Sequence, residues 1–196
     1  MLSLCLGIMA FILFFIYDVN SVSKKNAVIH RFFAIGAVLL AASSVIDLWC
    51  SAKTGAFSGI VDILLLLCGI IAFALLIYSL FFALPFDATY VKNSEERRVY
   101  DKGVYALCRH PGILWYFFMQ LFFGLAALPG RIILNGMILS ILNLLYAWFQ
   151  DRITFPKTFI NYTDYQQRVP FLLPTLSSVK TAIKTFSKSK SGEDKQ

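Results

Sequence analysis

Apolar positions along this chain gather into long runs, separated by short polar stretches rather than alternating with them. Five runs stand out, at about residues 2–17, 32–50, 59–84, 112–128 and 132–149. Most approach or pass the roughly 18–20 residues with which a helix spans a bilayer, and none shows the two-residue alternation of a half-buried strand. The pattern predicts an all-α polytopic membrane protein with about five transmembrane helices. The first run has no basic flank and no small-residue cleavage pattern, so it is expected to be a retained helix rather than a signal peptide. It is also the shortest, which suits a partial or tilted span. Pro129-Gly130 forces a tight turn, so the last two runs are expected to pair as an antiparallel hairpin.

Composition supports this picture. Of 196 residues, 58% are hydrophobic and 15% charged, with 19 Phe, and mean hydropathy is +0.69. Soluble domains run at about 45–50% apolar and about 25% charged. A soluble chain of this size has too little interior to hide so much apolar surface. Soluble and disordered readings are therefore excluded.

Charge sets the orientation. With the N-terminus outside, sixteen of the 18 Lys and Arg residues fall in internal segments, leaving only Lys53 and Arg131 outside. This is the positive-inside pattern, and it requires an odd number of spans. The expected membrane is the plasma membrane if the chain is bacterial, and the endoplasmic reticulum if eukaryotic. The net charge of +7 is then explained by cytoplasmic loops facing anionic lipid headgroups. No basic stretch interleaves aromatics in a soluble segment, so no nucleic-acid partner is expected. Asp47 and Asp62 fall near the outer ends of their runs, within reach of headgroups or Lys53, and are expected to be structural. The four cysteines are scattered without a CxxC pair, so neither zinc nor a disulfide framework is indicated.

The chain divides into a three-helix region, 1–84, a core, 85–175, and a basic, partly disordered tail, 176–196. The core comprises a cytoplasmic loop, the hairpin 112–149 and a cytoplasmic segment, 150–175. Its loop ends in Gly103-Val-Tyr105-Ala-Leu-Cys-Arg109-His110-Pro111-Gly112. Pro111 suits the first turn of a helix, which sets Arg109 and His110 beside a helix N-terminus that favours anions. The plainer alternative is membrane anchoring by Arg109 beside an interfacial His110. Beyond the last run come Gln150-Asp151-Arg152, then Tyr162-Thr-Asp-Tyr165-Gln-Gln-Arg168-Val-Pro170. Polar residues past a span, with tyrosines at i and i+3, predict an interfacial helix. In the tail, Leu176, Val179, Ile183 and Phe186 share a helical face, with Lys180, Lys184 and Lys188 on a flank. This predicts a membrane-adsorbing helix over 175–187, with disorder beyond Ser187.

Taken in order, G-x-Y-x-x-x-R-H-P, a hairpin, an acidic pair and Y-x-x-Y-x-x-R-V-P resemble the isoprenylcysteine carboxyl methyltransferases and the related phospholipid N-methyltransferases. The resemblance covers about residues 95–175; the first two spans carry no family signature. It implies S-adenosylmethionine as methyl donor, bound without a Rossmann domain, and a membrane lipid or prenylated substrate. It further implies that Arg109, His110, Gln150 and Asp151 line the cofactor site, with Arg109 and His110 nearest the chemistry. An acid such as Asp151 suits the donor's cationic groups, and Arg109 suits its carboxylate. Two departures from the family pattern stand out: Gln150-Asp151 replaces a Glu-Glu pair, and Ile113 stands where Tyr is common. An amine acceptor would need a base, for which Asp151, Glu95, Glu96 and His110 are candidates. Two other classes stay open: a nicotinamide-dependent membrane reductase of related fold, and a non-catalytic membrane scaffold. Nothing in the sequence fixes an oligomeric state.

Overall fold

The computed structural model describes residues 1–23, 26–84, 97–127 and 129–190, with side chains described as far as residue 186. Glu95 and Glu96 lie outside the described residues. Ten α-helices, and no strand, occur among those described. They are α1 (Leu2–Val22), α2 (Ala27–His30), α3 (Phe32–Lys53), α4 (Ile60–Ile77), α5 (Val104–Leu107), α6 (Pro111–Ala126), α7 (Gly130–Phe149), α8 (Phe155–Thr158), α9 (Tyr162–Arg168) and α10 (Leu176–Lys190). Two of the long helices end in wider π turns, Tyr78–Phe82 after α4 and Gln150–Thr154 after α7.

Among the described residues, four helical stretches are long and apolar enough to cross a membrane: Leu2–Val22, Ala27–Lys53, Ile60–Phe82 and Gly130–Thr158. The fifth apolar helix, α6, has 16 residues. At 1.5 Å per residue it is about 24 Å long, short of the ~30 Å hydrocarbon thickness. The first helix is longer than its apolar run: it continues through Asp18 and Asn20 to Val22. Both polar side chains are buried, and Asn20 exchanges hydrogen bonds with the main chain of Asn26 at 2.9 and 3.0 Å. The Asn26 carboxamide in turn caps α2 by accepting from Val28 and Ile29. Tertiary partners thus extend a helix that hydropathy alone would stop at residue 17.

The chain forms two compact units, Met1–Ala74 with Trp115–Thr154, and Leu75–Leu114 with Phe155–Gln196. In the first, α1 packs on α3 and α7. Small residues permit the close approach that apolar helices in lipid require. A Cβ at Gly36 of α3 would lie 2.8 Å from the Phe14 ring and 3.1 Å from the Ala10 carbonyl oxygen of α1. An aromatic column fills the seam, with the Phe14 ring stacked on Tyr146 at 5.6 Å and tilted against Phe33 at 5.4 Å. A polar clasp holds the other end. Ser43 donates to the Ser3 carbonyl at 2.8 Å, and Asn135 Nδ2 donates to Ser3 Oγ at 3.3 Å and to Asp47 Oδ2 at 3.5 Å. Asp47 therefore serves helix packing, while Lys53 sits over the Trp49 ring. Asp62 accepts from the Gly59 amide at the start of α4, a first-turn position that favours a carboxylate. Pro129 opens α7, its carbonyl accepting from the Ile132 amide at 2.9 Å, and the two helices pack closely, since a Cβ at Gly124 of α6 would lie 3.0 Å from Ile133 of α7.

In the second unit Tyr162, Tyr165 and Val169 form a buried core, against which Val99, Phe155 and Phe159 pack. Two long-range bonds join its chain segments: Ile160 N to Arg97 O at 3.0 Å and Val99 N to Asn161 Oδ1 at 2.8 Å. The tail helix is longer than expected. It runs to Lys190, past the predicted limit at Ser187. Its start is fixed by a reciprocal cap, in which Ser178 N donates to Thr175 Oγ1 and Thr175 N donates to Ser178 Oγ. Ser178 and Ala182 are buried, and Thr185 Oγ1 accepts from the Gly103 amide at 3.0 Å. The face predicted to be apolar is divided: Leu176 is 84% exposed and Ile183 65%, while the Phe186 ring lies beside Gly103.

Candidate functional site

Gly103 opens the loop motif with φ +60° and ψ −129°, in the left-handed half of backbone space. A side chain there would be strained, so this turn favours Gly. It launches α5, after which Cys108 returns to extended geometry and Pro111 begins α6. Between these two short constraints the chain is held by the C-terminal segment. Arg109 N donates to the Pro170 carbonyl at 2.9 Å and His110 N to the Phe171 carbonyl at 3.3 Å. The Arg109 guanidinium reaches the end of α9, where Nη1 donates to the carbonyls of Gln166 at 3.0 Å and Val169 at 2.7 Å. These carbonyls end a helix and have no onward amide to receive. A cation there is doubly favourable, since it completes the hydrogen bonding and meets the negative end of the helix dipole.

His110 is buried, its ring stacked on Phe155 at 5.8 Å and tilted against Phe171 at 5.0 Å. The Arg109 guanidinium also lies over the Phe171 ring, 5.6 Å from its centroid. Tyr165 donates from its hydroxyl to the Tyr105 carbonyl at 2.7 Å, and Tyr105 in turn to the Ser79 carbonyl at 2.8 Å. Burial pushes the Tyr165 phenol upward. The same cause pushes the Cys108 thiol up to about 11, against smaller lowering effects from the His110 backbone and Arg109. Cys108 is therefore a neutral buried thiol. The loop motif and the tyrosine-containing segment, which are some sixty residues apart in sequence, are thus joined in one unit by side-chain and main-chain bonds.

Gln150 and Asp151 belong to the other unit. They open the π turn that prolongs α7, a widening of the helix often found at functional sites. Gln150 Nε2 donates to the Tyr146 hydroxyl one turn back, at 3.0 Å. Asp151 is 1% exposed. Arg109 with His110, and Gln150 with Asp151, are each described within their own unit.

One residue escaped the sequence reading. Asp18 is 3% exposed in α1, and Tyr146 and Gln150 face its carboxylate. A signal for it existed: Phe11, Phe14 and Asp18 fall at i, i+3 and i+7, which places the acid on the buried stripe. Because the apolar run stops at residue 17, Asp18 reads instead as the residue that ends it. No group of three potential metal ligands occurs among the described residues. No family model matches the chain, and no curated protein or solved structure matches it.

Proposed function

We propose that this chain is a membrane methyltransferase that uses S-adenosylmethionine to methylate the carboxylate or amine head of a lipid-like or prenylated substrate. The observation that carries the reading is the union of the Gly103–Gly112 motif with the Tyr162–Pro174 segment. Two motifs that suggest the family only in combination are tied together by Arg109 and by paired main-chain bonds. The residue types fit the donor's groups. Asp151 is a buried carboxylate, suited to a sulfonium or ammonium; Arg109 suits a carboxylate. The donor supplies an activated methyl group whose positive charge is lost on transfer. The protein's part is to align the partners and keep water out. Phe155 and Phe171 fix the His110 ring, so it could hold a proton at a defined place when the acceptor is an amine. A carboxylate acceptor needs no base, being ionised at neutral pH.

We place five spans in the membrane, with α6 as a short fifth accommodated by local thinning. The N-terminus is outside and the C-terminus cytoplasmic, on the distribution of Lys and Arg. The exposed face of α10, with exposed Lys180 and Lys184 beside it, would then rest on anionic lipid headgroups.

One observation favours a second reading. Arg109 gives Nη1 to two carbonyls and Gln150 gives its amide to Tyr146, as expected of a non-catalytic scaffold. Binding of radiolabelled S-adenosylmethionine to the detergent-purified chain separates the two. Saturable binding supports the enzyme, and its absence the scaffold.

A further inference from the structure

The carboxylate of Asp18 sits in the first unit, where α1 passes α7. It is almost wholly buried, and its Oδ2 has no hydrogen-bond partner among the described residues. Tyr146 and Gln150, both neutral, hydrogen-bond to the carboxylate, and Gln150 also donates to the Tyr146 hydroxyl at 3.0 Å. A buried carboxylate without a counter-charge is costly to keep. An ionisable group within a membrane helix calls for a partner.

A groove of about 400 Å³ runs between the same two helices, lined by Phe11, Ile12, Phe15, Leu142, Leu145 and Tyr146 among others. That volume lies in the usual range of small-molecule sites, about 300–1,000 Å³. Phe11, Phe15 and Asp18 fall at i, i+4 and i+7, so Asp18 continues the groove's line along α1 by one further turn. Tyr146 belongs to both features, with its ring in the groove and its hydroxyl in the polar cluster. Ile12 and Phe15 are exposed on the helix surface that would face hydrocarbon. Along α1 the groove's lining ends at Phe15, and an apolar groove open to lipid, with a buried anion one helical turn beyond it, is complementary to an amphiphile of opposite polarity.

We propose that the groove and Asp18 form one binding site for a long-chain amphiphile with an ammonium head. The chain lies along Phe11, Phe15 and Leu145, and the ammonium donates to the Asp18 carboxylate beside Tyr146 and Gln150. The site goes beyond the methyl-transfer reading and does not depend on it. Of the residues assigned to the methyl-donor site only Gln150 borders it; Arg109, His110 and Asp151 take no part.

The test uses the full chain in detergent and an octadecylamine carrying a diazirine on its alkyl chain. Photolabelled positions are mapped by mass spectrometry. Labelling is expected in the groove, at residues 8–15 and 142–149. Unlabelled octadecylamine should compete about tenfold or more better than octadecanol, the lower end for one charge-assisted hydrogen bond. Asp18→Asn should abolish that preference while leaving residual labelling in the groove. Ile12→Trp, on the lipid-facing surface, should block labelling by filling the groove. Equal competition by amine and alcohol in the unmodified chain would overturn the proposal without recourse to any variant. So would an undiminished amine preference in Asp18→Asn. Binding of S-adenosylmethionine, measured on the same sample, reports separately on the methyl-transfer reading.

Discussion

Replacing Arg109 by alanine removes both hydrogen bonds from Nη1 to the Gln166 and Val169 carbonyls, at 3.0 and 2.7 Å. Hydrogen bonds to a charged group contribute about 1.5–3 kcal/mol each. Arg109 is only partly buried, so water restores some of what is lost, and a net cost of about 2–3 kcal/mol is expected for the pair. The main-chain bonds to Pro170 and Phe171 survive the substitution, so the unit should loosen rather than unfold. Cys108, fully buried next to Arg109, reports that loosening directly. With Cys5, Cys50 and Cys68 replaced by alanine, a thiol reagent labels the protein only when this region opens. At about 1.4 kcal/mol per factor of ten, Arg109→Ala should raise the labelling rate roughly 30- to 140-fold. Arg109→Lys, which can satisfy one carbonyl, should fall between the two. A rate within about twofold of the parent would refute the clamp, since it implies an energy near 0.4 kcal/mol.

Alkaline pH should weaken the second unit. The Cys108 thiol rises from 9.0 to about 11 on burial, so between those values the unfolded chain releases a proton that the folded chain keeps. Stability is therefore unaffected below pH 9 and falls as pH climbs toward 11, by about 3 kcal/mol at most; Cys108→Ala should flatten the alkaline slope of thermal unfolding. Topology reporters at Lys53, within 85–96 and at Gln196 should read outside, inside and inside. An inside report at Lys53 would overturn the assigned orientation, and the Asn161-Tyr-Thr163 sequon should stay unglycosylated. A peptide spanning 175–187 should gain helical circular dichroism with anionic vesicles and much less with neutral ones. Truncation after Pro174 should leave methyl-donor binding in place; its loss would give α10 a role beyond adsorption.

Much of the helical layout was legible because it depends on local signals. Pro129-Gly130 marks the turn between α6 and α7, and Pro111 marks the start of α6. What needed the structure depends on partners distant in sequence. Asp18 and Asn20 look like the polar end of a span, yet α1 passes through both, and Asn20 is held by Asn26. Gln150 similarly follows the last apolar residue, but its bond back to Tyr146 accompanies a π turn instead of a stop. Tyr162 and Tyr165 share a face by spacing alone. That this face is the core of a unit, with Tyr165 bonded to Tyr105, follows from contacts sixty residues away. The Arg109 side chain could be read as an anion ligand or an anchor, and only its geometry reveals the helix-end carbonyls it satisfies. The start of α10 follows a local signal, the Thr175–Ser178 cap, whereas its C-terminal end at Lys190 lies past the predicted limit at Ser187.

The central claim, that the chain holds a methyl donor at Asp151, is tested most directly by equilibrium binding of radiolabelled S-adenosylmethionine to the purified protein. The account predicts saturable binding by the parent chain. Asp151→Ala should weaken it roughly ten- to a hundredfold, the value of one charge-assisted contact, while Gln150→Glu holds or strengthens it. No saturable binding, or parent-like affinity in Asp151→Ala, would contradict it.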